Sequence, residues 1–219
     1  MISWDVPIVR WVQWPGIGAA ELGFIEPLLR RRLSSLARGA LHVANACAQG
    51  CPSATFVFAS RHGELTRTVE LLRSLAHDEE LSPTLFSLSV LNAAAGIFSI
   101  ARGDRAPATA IAAGVESFGY GLLEAHLRAR KSPAKPLVYV YADAPAPDPI
   151  GPQSGDPQAV FALGLLIQGD ASSRLHTAFR PGTMVGTPAT LQANACLRAL
   201  ERGSADWTSD RHHWCWNLR

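Results

Sequence analysis

The chain has 219 residues, enough for one domain with a sizeable core, and sets 20 Lys and Arg against 18 Asp and Glu for a formal charge of +2. That balance singles out neither nucleic acid nor an anionic membrane as partner, and the short basic run Arg30-Arg31-Arg32 reads as a solvated helix face rather than a phosphate patch. Charged residues make up only 17% of the chain, where about 25% is usual, so the composition leaves surface for another protein to cover.

Residues 1–27 hold Trp4, Trp11 and Trp14 among Pro7, Pro15 and Gly16, and read as an irregular, aromatic-anchored arm or an opening strand. From Leu28 to about Ala48 apolar residues recur at spacings of 3 and 4, which predicts one amphipathic helix, stopped by Gly50 and Pro52. Ala54–Ser60 is a near-continuous apolar strand, suited to a sheet covered on both faces, and ends in the polar loop Arg61-His62-Gly63-Glu64. A helix is predicted over Glu64–Ala76 and an apolar, small-residue helix within Ser89–Ala101. A strand over 108–113 then breaks at Gly114 into a helix from Ser117 to Arg130. Leu137–Tyr141 is another buried-type strand, Asp143–Pro157 a Pro-rich surface loop, and Ala159–Ile167 a further strand. Residues 169–186 show no periodicity. Thr187-Pro188 supplies an N-cap and N1 proline for a helix to about Glu201, and the tail WTSDRHHWCWNLR returns to the irregular aromatic character of the start. Strands alternating with helices predict an α/β fold with a mostly parallel sheet.

No apolar run reaches ~18 residues, and no basic start precedes an apolar core. Neither a membrane span nor a signal peptide is therefore expected, and the chain reads as cytoplasmic with reduced cysteines. Cys47-x-x-x-Cys51 with His42 would need Cys196, Cys215 or the His212-His213 pair to complete a metal site, and no second ligand pair has finger-like spacing. The expectation is therefore buried free thiols, no metal and no cofactor.

The strings Arg31-Arg32-Leu33-Ser34, Ala59-Ser60-Arg61-His62-Gly63-Glu64-Leu65, Leu81-Ser82-Pro83-Thr84 and Phe86-Ser87-Leu88-Ser89-Val90-Leu91-Asn92-Ala93 resemble the short ketosynthase-like proteins of aryl polyene pigment clusters. So do Ala113-Gly114-Val115-Glu116-Ser117-Phe118, the Leu122-Leu123-Glu124-Ala125 helix and the Tyr141-Ala142-Asp143 strand end. Those proteins are β-ketoacyl synthase-like, or chain length factors of a type II polyketide synthase. The resemblance implies a thiolase-like α/β fold truncated to about its N-terminal half: residues 1–170 form the ketosynthase-like half and 171–219 a C-terminal helix and Trp-rich tail. A complete condensing enzyme of this fold takes its cysteine from the first half and two histidines, or His and Asn, from the second. Here the matching junction is Val115, Glu116 and Ser117, with no cysteine. One departure is Leu91, where the family pattern often has histidine.

Two readings follow. In the first, the resemblance implies a non-catalytic chain-length-factor subunit. It pairs with a full-length ketosynthase as heterodimer or heterotetramer, and the pair elongates chains held on an acyl carrier protein. Contact is then expected edge to edge through the strand at 108–113 and the helix at 89–101, with the six tryptophans awaiting a partner's cover. In the second, the chain is a free-standing acyltransferase or serine hydrolase using Ser117. Its V-E-S-F-G only partly matches the G-x-S-x-G elbow, and Ser117 reads as a helix N-cap in preference to a nucleophile. Arg61, His62 and Glu64 are candidates for an entrance or a strand-end hydrogen-bond network. Asn92 reads as a buried, satisfied amide, and Ala94, Gly96 and Phe118 as pocket or interface residues.

Overall fold

The structure is a computed structural model and describes residues 1–219 other than 15, 17, 154, 183–187 and 189. Its frame is one eight-stranded sheet in the order β3-β2-β4-β5-β1-β6-β8-β7. The strands are β1 (Ile2–Trp14), β2 (Thr55–Ala59), β3 (Ala108–Ile111), β4 (Leu137–Asp143), β5 (Phe161–Ile167), β6 (Ser173–Pro181), β7 (Ser204–Thr208) and β8 (His212–Leu218). Among the pairings of the described strands, β2 with β3 and β2 with β4 run parallel, and the other five are antiparallel. The expected mostly parallel sheet is therefore corrected to a mixed one. The parallel part carries helical crossovers, and the ends of the chain fold in as antiparallel strands.

Alternation along the strands divides the core. Leu137, Tyr139 and Tyr141 of β4 face one layer with Val57, Leu163 and Leu165. Val138, Val140 and Ala142 face the other, with Phe56, Phe58 and Leu166. Both faces are covered, which is why these strands read as unbroken apolar runs. Helices α2 (Ser35–Cys47) and α5 (Ala93–Arg102) pack on the second face. Helices α6 (Ser117–Lys131) and α7 (Gln192–Arg202) pack on the first. The short α1 (Pro27–Arg31), α3 (Leu65–Ala76) and the short α4 (Pro83–Ser87) complete the set.

The single helix predicted over 28–48 is two helices. The first ends at Arg31, and Ser34 caps the second, its Oγ accepting from the Ala37 amide at 2.9 Å. The helix predicted from Thr187-Pro188 begins only at Gln192: Thr187 lies outside the described residues, and Pro188 precedes the helix.

The largest correction concerns the chain ends. Neither is irregular: β1 pairs with both β5 and β6, and β8 joins β6 to β7. The boundary expected at 170 falls between β5 and β6, which are both hydrogen-bonded to β1, so residues 171–219 add three strands and a helix to the same sheet. Trp4, Trp207, Trp214 and Trp216 sit in the chain's own core, and Trp14 lies buried in the other layer. Trp214 stacks on Phe179 at 4.6 Å and lies nearly parallel to Trp216, with ring centroids 5.9 Å apart. The expectation that these tryptophans await a partner is thus overturned. The strand alternation that buries Trp214 and Trp216 is visible in H-H-W-C-W-N-L, where tryptophan returns every second residue.

Candidate functional site

Strand β3 gives way to α6 through the turn Ala113–Glu116, with Gly114 at φ +60°, a conformation that favours glycine. The strand–turn–helix junction is where the sequence places it. Ser117 is fully buried at the first turn of α6. Its Oγ donates to the Gly114 carbonyl at 2.7 Å and accepts from the Ala113 amide at 2.8 Å. The hydroxyl therefore closes the turn beneath the helix and caps none of the helix's own amides, which corrects the N-cap expectation. It is also committed in both directions and shielded from solvent, so it has no route to a substrate.

Glu116 is buried beside it. One carboxylate oxygen accepts from Ser209 Oγ and the other from His212 Nδ1 at 2.8 Å. Ser209 comes from the turn between β7 and β8 and His212 from the start of β8, and no spacing in the sequence links them to residue 116. Val115 packs against the core. Gly155 of the Pro-rich loop lies over it: a Cβ on Gly155 would come within 3.8 Å of Val115 Cγ1 and 3.7 Å of Arg61 Nη1.

Arg61 and His62 occupy the C-terminal end of β2, beside this junction, and two aspartates organise them. Asp143, at the end of β4, is fully buried and accepts four hydrogen bonds. They come from Ser60 Oγ (3.0 Å), the amides of Arg61 (2.8 Å) and His62 (3.2 Å), and the Tyr141 hydroxyl (2.7 Å). Burial pushes its carboxyl above the usual range, against the pull of those donors. Asp156 pairs with Arg61 Nη1 at 2.9 Å and His62 Nε2 at 2.7 Å, and accepts from the amides of Gln153 (2.8 Å) and Ala146 (3.2 Å). Burial opposes its ionisation, but the Gln153 amide, His62 and the Ala146 amide together hold the carboxyl below its ordinary value. The Arg61-His62 pair is therefore a clamp on the Pro-rich loop. Asp143 serves the 60–63 loop rather than its own, and Asp156 was not singled out from the sequence.

Glu64 lines a different feature, a cleft of about 310 Å³ with Ser34, Gly63, Arg67, Leu85 and Ala144. Its carboxylate accepts from Ser34 Oγ at 2.7 Å and Arg67 Nε at 3.0 Å, while burial raises its pKa against both partners. Leu91, the departure from the family pattern, packs against Gly63, with Cδ1 3.0 Å from where a Cβ would stand.

The remaining candidates separate. Asn92 is exposed and makes no cap hydrogen bond, so the buried-amide expectation is corrected. Ala94 is buried within the α2–α5 layer and Phe118 is wholly enclosed by Tyr139, Tyr141 and Trp216, which makes both core rather than surface. Gly96 is exposed, with nothing within 4 Å of where a Cβ would stand, and Ile100, one turn on, is also exposed. At the sheet edge, Phe56 and Ser60 donate to the carbonyls of Pro107 and Ile111. The alternation of a parallel ladder then turns the amides of Ala108 and Ala110 away from β2, to the side where the sheet order ends.

Chemically, the junction offers a valine, a carboxylate held by two donors and an occupied hydroxyl. The thiols do not substitute. Burial pushes Cys47 up to about 12 and Cys196 higher still, and Cys215 stands at about 11. A reactive thiol needs the opposite shift. Cys47 and Cys196 are buried as expected, whereas Cys51 and Cys215 are partly exposed. Among the described residues, no helix is long and apolar enough to cross a membrane.

The family model described as "Beta-ketoacyl synthase, N-terminal domain" matches residues 6–217. A chain of the solved structure of the ketosynthase ApeO in complex with its chain length factor ApeC, from Xenorhabdus doucetiae, superposes with a TM-score of 0.83 at 24% identity. The match covers 98% of this chain and 99% of that one. At that identity the likeness is one of fold, and it is the thiolase-like fold that the resemblance implied. A Bacillus HMG-CoA synthase, PksG, matches at a TM-score of 0.43 and 12% identity over 91% of this chain and 52% of its own, too little to argue from. No curated protein matches.

Proposed function

This chain belongs to the family of β-ketoacyl synthase N-terminal domains, and from that premise we propose that it is a non-catalytic, chain-length-factor-like subunit. It pairs with a full-length ketosynthase, and the pair elongates acyl chains carried on an acyl carrier protein in type II polyketide or aryl polyene biosynthesis. The observation that carries this reading is the junction. Condensation needs a thiolate to take the acyl chain and an oxyanion site with imidazoles for the malonyl unit. Here Val115 stands beside a Glu116 tied to the C-terminal hairpin and a Ser117 whose hydroxyl is spent inside the turn.

The edge of β3 supports the pairing. It presents free backbone amides at Ala108 and Ala110 on the strand that leads into the junction, and α5 carries the open face of Asn92, Gly96 and Ile100 alongside. Phe86 and Val90, shortly before α5 in the chain, are also exposed.

The test is co-expression with a ketosynthase encoded beside it, followed by incubation with acyl carrier protein bearing an acyl starter and malonyl units. The expected result is a stable 1:1 or 2:2 complex burying more than about 2,000 Å². Elongation should occur only in the complex, and the mass of this chain should not change. A well-behaved monomer that associates with no such ketosynthase, or a stoichiometric acyl adduct on this chain, overturns the reading.

A further inference from the structure

The hairpin of β7 and β8 has two faces. The inner one is Trp207, Trp214 and Trp216, packed in the core. On the outer one Asp206 and Cys215 are direct register partners, and His213 lies two residues before Cys215 on the same strand. We propose that Asp206, His213 and Cys215 form a binding site for one divalent cation of the zinc class, with a fourth coordination position left to solvent.

One oxygen, one imidazole nitrogen and the sulfur of these side chains all lie within 4.8 Å of one another. His213 Nε2 stands 3.9 Å from Asp206 Oδ1. Ligands of a tetrahedral zinc at about 2.0–2.3 Å sit roughly 3.3–3.7 Å apart, so closing the set needs only small side-chain movement. Asp206, with 65% of its side chain exposed, is free to make it. The donor set of thiolate, imidazole and carboxylate suits a borderline-soft ion such as Zn²⁺ or Co²⁺ and does not suit Mg²⁺ or Ca²⁺.

A second observation concerns orientation. Thr208 Oγ1 lies 2.7 Å from His213 Nδ1, so the ring's other nitrogen is the one turned toward Asp206 and Cys215. A polar partner on the far nitrogen is what fixes a metal-binding histidine. Burial first, and the neighbouring Asp206 carboxylate second, push the Cys215 thiol up. Binding therefore releases the thiol proton, which the cation replaces between sulfur and oxygen. Arg180 of β6, the register partner of His213, is a cation beside this site that opposes a metal ion.

The experiment is titration of the full chain, under reducing conditions, with Co²⁺ followed by displacement with Zn²⁺. The expected result is one equivalent of Co²⁺ with a thiolate-to-cobalt charge-transfer band and the intense d–d absorption of four-coordination, both lost on adding Zn²⁺. Cys215→Ser abolishes the charge-transfer band, and Cys51→Ser, the other partly exposed thiol, leaves it. Thr208→Val weakens binding about tenfold, and Arg180→Gln tightens it. A featureless titration overturns the proposal, as does a band that survives Cys215→Ser or disappears with Cys51→Ser. Far-ultraviolet circular dichroism of each variant separates loss of the site from loss of the fold.

Discussion

His212 Nδ1 lies 2.8 Å from a carboxylate oxygen of Glu116, ninety-six residues earlier in the chain. The contact ties the tip of the C-terminal hairpin to the junction that leads from β3 into α6. Ser209 donates to the other oxygen of the same carboxylate, and its Oγ also accepts from the amides of Arg211 and His212. The carboxylate stands at a helix N-terminus, where negative charge is favoured. One buried acid thus organises both the start of α6 and the turn between β7 and β8.

His212→Ala leaves Glu116 with Ser209 alone, and a buried acceptor that loses a partner costs about 1–3 kcal/mol. Urea unfolding should register that loss, and amide exchange should rise at residues 209–213 while α7 keeps its protection. His213→Ala, on the other face, should leave both unchanged. Equal effects of the two variants would show that the His212 contact does not latch the hairpin.

Ser117→Ala deletes the acceptor of the Ala113 amide. The expected outcome is destabilisation by about 1 kcal/mol, from a partly buried N–H that loses its partner. No activity should be lost in the assembled complex. A fluorophosphonate probe should leave the wild-type chain unmodified; labelling that vanishes with Ser117→Ala would revive the serine-enzyme reading.

The Asp156 clamp has a defined pH window. Its carboxyl is held below the ordinary value of 3.8, so it stabilises the fold above that pH and the contribution is lost as pH falls through the lower, folded-state value. Asp156→Asn should therefore cost stability at neutral pH, with a gap to wild type that closes only below about pH 4. Amide exchange in residues 144–153 should rise in the variant. Equal wild-type and variant stability at pH 7 would show that Arg61 and His62 do not depend on this acid.

Association is separable from folding at Gly96 and Ala110. Gly96 is solvent-facing in mid-helix, so Gly96→Ala should stabilise the isolated chain by about 1 kcal/mol. Gly96→Arg should also fold, yet weaken the complex with a ketosynthase if α5 lies in the contact. Ala110→Pro removes an outward-facing amide of the edge strand, a position where proline is tolerated by the fold but not by an added strand. Analytical ultracentrifugation of each variant with the ketosynthase decides; undiminished complex formation in both places the contact elsewhere.

The tryptophan core makes a contrasting demand. A Cβ on Gly119 would lie 2.6–2.8 Å from ring atoms of Trp214, which is fully buried and stacked on Phe179 and Trp216 and has nowhere to move. Gly119→Ala should cost about 1–3 kcal/mol by overpacking, and Trp216→Ala about 3–5 kcal/mol. Both losses should appear in the chain alone, before any partner is added. If the variants unfold like wild type and fail only in the complex, the tryptophans belong to an interface after all.

Much of the parallel part of this fold is local, and local patterns carried it. Unbroken apolar runs marked β2, β4 and β5, and Gly114 before a small-residue helix start marked the junction at residues 115–117. The absence of cysteine there was plain from the order of residues alone. What the linear pattern withheld was pairing between distant segments. β1 alternates Trp4, Val6 and Ile8 with Asp5 and Pro7, and β8 alternates Trp214 and Trp216 with Cys215 and Asn217, the period of a strand with one buried face, but which strand each joins depends on a sheet that exists only once the chain has collapsed. The same holds for the site: Glu116 meets His212 and Ser209, and Arg61 meets Asp156, through contacts 93 to 96 residues apart. Hydrogen bonds of that span carry no spacing signature, because their geometry is set by packing of the two layers and not by the pitch of any one helix or strand.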